Sequence, residues 1–453
     1  MTTRRWRISP SQKPLRGAFD LPGDKSIGHR ALILSALARG TSTLRNLSGG
    51  DDNLRTRAAL AALGVTLRDE GAALVVEGVG LDGLRAPSGD LDCGNSGTSM
   101  RLLAGVLVAQ DFASRLVGDA SLSKRPMGRV TRPLRGRGAR IEGAIDPVKR
   151  DEVAPLEVSP LDRGRRLVEL EYDLPVASAQ VKTCLLLSGL WADGLTALRE
   201  PHVSRDHTER MLSAMGAPVS TLGSAVMFDP TGWNGELSPL DLDVPGDPSS
   251  AAFLLVAAHV VHGSRIAARR VCTNPTRAGF LEVLRDMGGG VLVDPKGERG
   301  GEPVANLHVG LGETGALRRG ARVGGELAVR CIDEVPALVA AAAVAPGESR
   351  FDDLGELRVK ESDRVAALVE MVRAFGLGAA AHGDGFTVEG GVPRGGATVR
   401  SHGDHRIAMA AAVLALAADG ATIVDDVACV DTSFPSFAAI LRGLGADLEV
   451  VES

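Results

Sequence analysis

Leu21-Pro22-Gly23-Asp24-Lys25-Ser26-Ile27-Gly28-His29-Arg30 begins with a pattern that the chain uses twice. At an offset of 223 residues it reads Val244-Pro245-Gly246-Asp247-Pro248-Ser249. At the same offset, Gly40 before Thr41-Ser42-Thr43-Leu44 matches Gly263 before Ser264-Arg265-Ile266. The chain therefore reads as two similar halves. In the first copy a proline and a glycine break the chain, and Lys25, Ser26 and Arg30 head an apolar run over 31–37. That order predicts a turn feeding a helix. The unpaired N–H groups and the dipole at a helix start favour negative charge. Two added cations make anion binding one reading of the stretch; a solvated basic helix start is the other.

A finer repeat lies inside each half. After Lys25 an Ala/Leu-rich helix runs to Gly40 and a strand follows over 41–47. A second helix, about 51–63, stops at Gly64, and a hairpin pairs 65–68 with 73–76 around Asp69-Glu70-Gly71. A strand at 15–21 is expected ahead of the first helix. The same order is legible five more times. Helix, glycine and strand recur at 176–191 with Gly194, 249–261 with Gly263, 333–345 with Gly347 and 405–419 with Gly420. The copy near Asn95 is the least clear, because Ala113-Ser114 replaces the glycine. Gly64, Gly138, Gly216, Gly288, Gly376 and Gly445 close the second helices, where a left-handed residue is favoured. The expected class is α/β (α+β), with two similar globular domains of three βαβαββ units each. Residues 24–244 form one domain; 1–23 plus 245–453 form the other, discontinuous one. A cleft between such domains is where small ligands often bind.

Composition narrows the function classes. With 453 residues, 44% hydrophobic and 24% charged, the chain has the balance of a multidomain globular protein. Its 56 acidic and 51 basic residues give a net charge of −5, and it has one Tyr and three Trp, so a dedicated nucleic-acid binder is disfavoured. Cys93, Cys184, Cys272, Cys331 and Cys429 are scattered without a C-x-x-C, which points to reduced thiols in a cytoplasmic protein. The first 13 residues lack an apolar signal core, and the longest apolar run, 407–418, is shorter than the ~20 residues of a membrane span.

The helix starts are not alike, and their differences carry the chemistry. Asn95-Ser96-Gly97-Thr98-Ser99-Met100-Arg101 combines small hydrogen-bonding residues with a glycine that admits a ligand to the backbone; an ordinary cap is the alternative. Lys124-Arg125-Pro126-Met127 places cations before a helix, followed by Arg129, Arg132, Arg135 and Arg137, most of which read as a solvated face. Ser178-Ala179-Gln180 and Ser204-Arg205-Asp206-His207 add hydroxyl, amide and guanidinium donors. Asp333 and Glu334 are adjacent carboxylates whose side chains must diverge. In Lys360-Glu361-Ser362-Asp363-Arg364 the cations stand at i,i+4, which predicts two positive charges on one helical face, relieved by Glu361 or by an anion. Asp404-His405-Arg406 opens the last long helix; His402-x-x-His405 has no evident third ligand for a metal. Guanidinium groups suit phosphate and carboxylate oxygens, and Asp333 and Glu361 can move protons. The set points to chemistry on two small anions.

Together PGDKS-x-x-HR at 22–30, GNSGTSMR at 94–101, KRP at 124–126, SAQ at 178–180, IDE at 332–334, RVKESDR at 358–364 and DHRIAM at 404–409 resemble the enolpyruvyl transferases over essentially the whole chain. Within them the chain resembles the 5-enolpyruvylshikimate-3-phosphate synthases, the target family of glyphosate. The resemblance implies an active site in the interdomain cleft and transfer of the enolpyruvyl group of phosphoenolpyruvate to the 5-hydroxyl of 3-phosphoshikimate. Phosphate is released, on the shikimate pathway to chorismate and the aromatic amino acids. It implies no metal or organic cofactor, no nucleic-acid or membrane partner, and a monomer. Lys25, Ser26, Arg30, Ser178, Ala179, Gln180, Arg205, Asp333 and Lys360 would bind 3-phosphoshikimate. Lys25, Gly97, Arg125, Gln180, Arg364 and Arg406 would bind phosphoenolpyruvate. Asp333, Glu361 and Lys25 would be catalytic, with Asp333 taking the proton of the 5-hydroxyl.

The chain departs from the pattern at Ser433-Phe434-Pro435, where many members carry Lys-Thr-Phe-Pro, at Ala179 in place of a serine, and at Gly28 in place of a frequent serine. These changes resemble a divergent bacterial branch with glyphosate-tolerant members, yet Gly97 keeps the glycine associated with inhibitor access. The transferase acting on UDP-N-acetylglucosamine is the nearest alternative; it has Lys-Asn at the first motif and a loop cysteine, whereas here Ser26 follows Lys25 and no cysteine lies between Cys93 and Cys184. A P-loop is excluded because Asp24 separates Gly23 from Lys25. A non-catalytic anion-binding relative is opposed by the presence of both Asp333 and Glu361.

Overall fold

The computed structural model describes residues 4–162, 164–311 and 316–452. Its helices are α1 Lys25–Leu37, α2 Asp51–Ala62, α3 Gly97–Leu107, α4 Gly128–Gly136, α5 Ala179–Gly189, α6 His207–Ala214, α7 Pro248–Val260, α8 Gly279–Asp286, α9 Gly325–Arg330, α10 Val335–Val344, α11 Arg364–Ala374, α12 His405–Ala415 and α13 Phe437–Gly443. Among the described residues the strands form six four-stranded sheets. The chain divides into two compact units. One takes in the chain to Pro22, Pro245–Glu298 and the chain from Pro303 on; the other takes in Gly23–Val244 with Arg299–Glu302.

The βαβαββ order is plainest in the copy that the sequence left least clear. Leu91–Asp92, α3, Ser114–Val117, α4, Arg140–Ile145 and Glu152–Ser159 follow one another. The first two strands pair in parallel, and the last strand inserts between the second and third. All six sheets share this strand arrangement, and in five of them the last two strands are consecutive in the chain and form a hairpin. The glycines that close the second helices have φ between 73° and 105°, the left-handed region where a Cβ is strained.

Three strands lie where sequence order does not put them. The strand expected at 15–21 is Arg16–Asp20, and it pairs in parallel with Arg265–Cys272 rather than with the sheet that follows it in the chain. The sheet containing Arg39–Arg45 takes Asp241–Asp243 instead. The sixth sheet is completed by the N-terminal strand Arg4–Ile8, between Thr422–Asp425 and Leu448–Glu452. Parallel edge strands need long crossovers, so hydrophobic pattern alone does not say which copy a leading strand joins.

Each unit is built around helices that are apolar nearly all round, as burial on every side requires. In one unit α7, α10 and α12 pack together and are almost entirely buried. In the other, α3 packs on α5 so closely that a Cβ on Gly105 would fall 2.2 Å from Cys184 O. These buried helices carry few polar side chains beyond their first turns, so chemistry collects at their starts. Asp24, Ser96, Ser178, Asp247 and Asp404 cap α1, α3, α5, α7 and α12, each accepting from an N–H of its own first turn. Among the described residues no helix is long and apolar enough to cross a membrane.

Candidate active site

In the unit containing Gly23–Val244 the candidate residues gather at the starts of α1 to α6. Lys25 Nζ lies 2.8 Å from Asp52 Oδ2 at the head of α2, and both side chains are mostly buried. Behind them His29 Nδ1 meets Thr56 Oγ1 at 2.7 Å. Thr56 meets Ser99 Oγ at 2.7 Å, and Ser99 donates to Ser96 Oγ at 2.8 Å. This buried chain ties α1 and α2 to the cap of α3. Burial holds the His29 imidazole well below its ordinary range, and the charges of Lys25 and Arg30 add to the shift.

Ser26 Oγ accepts from Arg205 Nη1 at 3.3 Å. Arg30 is only 2% exposed. It donates to Ser26 O (2.8 Å), Ala179 O (3.4 Å), Thr183 Oγ1 (2.8 Å) and Thr208 Oγ1 (2.7 Å), so it braces α1 against α5 and α6. Ser178 Oγ caps α5 by accepting from Val181 N. Gln180 accepts from Arg101 Nη1 and donates to Thr98 Oγ1 at 2.9 Å. Arg101 also donates to Pro126 O, and Arg125 donates to Asn95 Oδ1 at 2.5 Å. A Cβ on Gly97 would lie 3.0 Å from Arg101 Nη1 and 3.4 Å from Arg125 Nη1. The glycine therefore opens a position that two guanidinium groups can both reach.

In the other unit Asp333, just ahead of α10, is the meeting point. Its Oδ1 lies 3.3 Å from Arg364 Nη1, 3.6 Å from Lys360 Nζ and 3.9 Å from Arg406 Nε, while Arg406 Nη1 donates to Asp333 O at 2.5 Å. Arg364 also pairs with Glu361 Oε2 at 2.5 Å and Asp404 Oδ2 at 2.8 Å. Burial alone pushes this guanidinium pKa down; Asp404, Glu361 and Asp333 more than offset it and the net shift is upward. For Asp404, burial pushes the carboxyl up, and Arg364 reverses the sign to a net lowering. The neighbouring carboxylates diverge as adjacency requires: Glu334 turns away to accept from Ser249 Oγ and lies 3.6 Å from buried Arg277.

Two expectations are corrected. Lys360 and Arg364 do not share a helical face, because Asp363 caps α11 (Oδ1 from Ala366 N, 3.1 Å) and the helix begins only at Arg364. Lys360 precedes it in an irregular turn, and both cations still reach Asp333. Arg137 is not on a solvated face. It is fully buried and donates to Val168 O, Leu185 O, Ser188 Oγ and Thr196 Oγ1, whereas Arg132 and Arg135 pair with Asp151 and Glu152 near the surface.

Several partners were not singled out from sequence. Asn95 and Arg101 stand inside the motif GNSGTSMR and Asp404 opens DHRIAM, so their signal was present. Asp52 had only its place at a helix start, which ordinary dipole matching explains equally well. Chemically, each unit holds cations against its own carboxylates, which bound anions can replace. Among the described residues no group of three or more His, Cys, Asp or Glu is placed to hold a metal ion.

The family model for EPSP synthase (3-phosphoshikimate 1-carboxyvinyltransferase) matches residues 10–441. The chain is 47% identical over 438 residues to the 3-phosphoshikimate 1-carboxyvinyltransferase of Geobacter sulfurreducens, covering 96% of this chain and 98% of that one. It is also 47% identical over 449 residues to the enzyme of that name from Xanthomonas campestris pv. campestris, covering 99% and 98%. The structure of EPSP synthase from Acinetobacter baumannii superposes with a TM-score of 0.85 at 39% identity, over 99% of this chain and all of that one.

Proposed function

The chain belongs to the EPSP synthase family, and on that premise we propose that it transfers the enolpyruvyl group of phosphoenolpyruvate to the 5-hydroxyl of 3-phosphoshikimate. The products are 5-enolpyruvylshikimate 3-phosphate and inorganic phosphate, on the route to chorismate and the aromatic amino acids. The observation that carries this reading is the cluster at Asp333. Two carboxylates, Asp333 and Glu361, are interleaved with Lys360, Arg364 and Arg406, drawn from three segments of the chain.

Ser26, Ser178, Gln180 and Arg205 hold 3-phosphoshikimate by side chains and Ala179 by its backbone, with Lys25 and Lys360 adding charge. Arg30 serves this set through the carbonyls of Ser26 and Ala179 that it fixes. Gly97, Arg125, Gln180, Arg364 and Arg406 hold phosphoenolpyruvate. Lys25 touches both substrates, exchanging Asp52 for their oxygens.

Protonation of the methylene carbon of phosphoenolpyruvate, by Glu361 with Lys25, makes C2 electrophilic. The 5-hydroxyl adds there as Asp333 takes its proton, giving a tetrahedral phospho-intermediate. Removal of a methyl proton and departure of phosphate restore the double bond. The substrates' negative charges draw Lys360, Arg364 and Arg406 toward themselves, which releases Asp333 Oδ1 to act as a base. Holding two mutually repelling anions in register can supply roughly 7–11 kcal/mol of the barrier, and a placed acid or base typically ~10²–10⁴-fold.

The substrate residues all come from one chain, and in this reading the enzyme works as a monomer. Its cysteines are thiols rather than disulfides, which fits a reducing compartment, the cytoplasm. Phosphate release is the test. Turnover is expected with phosphoenolpyruvate and 3-phosphoshikimate together, and not when UDP-N-acetylglucosamine replaces the latter. Binding of both substrates without turnover would leave an anion-binding protein and end the enzymatic reading.

A further inference from the structure

One buried cluster contains no residue assigned to the reaction. Lys182, on the first turn of α5, lies with Nζ 2.7 Å from Glu200 Oε2 and 2.8 Å from Glu209 Oε1; the three side chains are at most 5% exposed. Burial drives the ammonium pKa down, but Glu209 and Glu200 more than offset this, so the group stays charged. A buried cluster of an ammonium with carboxylates seldom stabilises a fold better than apolar residues of equal volume. Its geometric effect is specific. Glu200 accepts from Ser204 N (3.1 Å) and Ser204 Oγ (2.5 Å), and Lys182 donates to Ser204 O (3.3 Å). All three polar groups of Ser204 are thereby held, and the next residue is Arg205, whose Nη1 reaches Ser26 Oγ.

We propose that Lys182, with Glu200 and Ser204, is a positioning residue for 3-phosphoshikimate: it locks the turn that presents Arg205 to Ser26 at the start of α1. This rests on the assignment of Arg205 to that substrate. Glu209 extends the lock to α6. A segment ordered before the substrate arrives does not have to be ordered by it, so the benefit appears in affinity for one substrate rather than in the chemical step.

The test is steady-state kinetics of the full-length protein with each substrate varied in turn. Lys182→Met is expected to raise KM for 3-phosphoshikimate about 10-fold and Ser204→Ala about 3-fold, with kcat and KM for phosphoenolpyruvate within about 3-fold. In Lys182→Met/Arg205→Ala, KM is expected to be no higher than in Arg205→Ala alone, because the first residue acts through the second. Ser204→Ala removes a single hydroxyl and reads the lock even where Lys182→Met does not fold. A KM for 3-phosphoshikimate within twofold of the parent in Ser204→Ala, or equal rises for both substrates in Lys182→Met, overturns the positioning role alone, provided Arg205→Ala raises KM. An unchanged KM in Arg205→Ala overturns both the role and the assignment beneath it.

Discussion

Gly97→Ala separates the requirements of the fold from those of the ligand. Gly97 is the first residue of α3 and its φ lies outside the left-handed region, so an alanine fits the backbone and gains about 0.5–1 kcal/mol of helix preference. Against this, the new Cβ would lie 3.0 Å from Arg101 Nη1, 3.4 Å from Arg125 Nη1 and 3.6 Å from Leu122 Cδ1. Moving a guanidinium by a few tenths of an ångström costs about 0.5–1.5 kcal/mol in rotamer strain. The two terms nearly cancel, and stability is expected to change by less than about 1 kcal/mol. Ligand binding has no such compensation. A point about 3 Å from two guanidinium nitrogens is where an anionic oxygen accepting from both would sit, and the methyl group takes it. One charge-assisted hydrogen bond is worth about 1.5–3 kcal/mol, which predicts a rise of about 10–100-fold in KM for phosphoenolpyruvate. KM for 3-phosphoshikimate should stay within about threefold. Steady-state kinetics with a thermal melt of the same preparation decides it. A KM for phosphoenolpyruvate within twofold of the parent would show that no substrate oxygen occupies that position.

Asp333→Asn keeps the shape of the side chain and removes the base, so kcat should fall by about 10²–10⁴-fold with the melt little changed; near-normal turnover would take Asp333 out of that role. Burial lowers the His259 pKa to about 4, and its Nε2 has no hydrogen-bond partner. The unfolded chain then binds the proton more readily than the folded one. Stability is full above about pH 7 and falls as pH drops through 6.5 toward 4, with about 2 kcal/mol lost between pH 8 and 5. Urea unfolding of the parent and of His259→Gln at both pH values checks this, and equal losses in the two proteins would refute it. Burial pushes the Cys184 and Cys429 thiols up to about 12. A thiol reagent at pH 7.5 should therefore leave activity intact over minutes; rapid inactivation would contradict it.

The sequence by itself determined the repeat and its helices, and it marked most of the candidate site residues. Glycine at a helix end and polar residues heading an apolar run are local requirements, and they are legible wherever they occur. Asp24-Lys25-Ser26 against Asp247-Pro248-Ser249 already separates what the turn needs from what it does not: both aspartates cap their helices, and only one copy carries a cation. The tertiary structure decided partnership. No local signal announces the exchange of Arg16–Asp20 and Asp241–Asp243 between sheets, since a parallel strand finds its neighbour through space.

Nor does any local pattern say that Lys25 meets Asp52, that Arg125 meets Asn95, or that Arg364 joins Asp333, Glu361 and Asp404. Those pairings depend on which helix starts are packed side by side, and packing is a property of the whole buried core. The same holds for Arg137 and Lys182. In sequence each is an ordinary cation, and only the surrounding carbonyls, hydroxyls and carboxylates make a buried charge tolerable there. Charge and residue type are written along the chain, whereas desolvation and partnership exist only once the chain has folded.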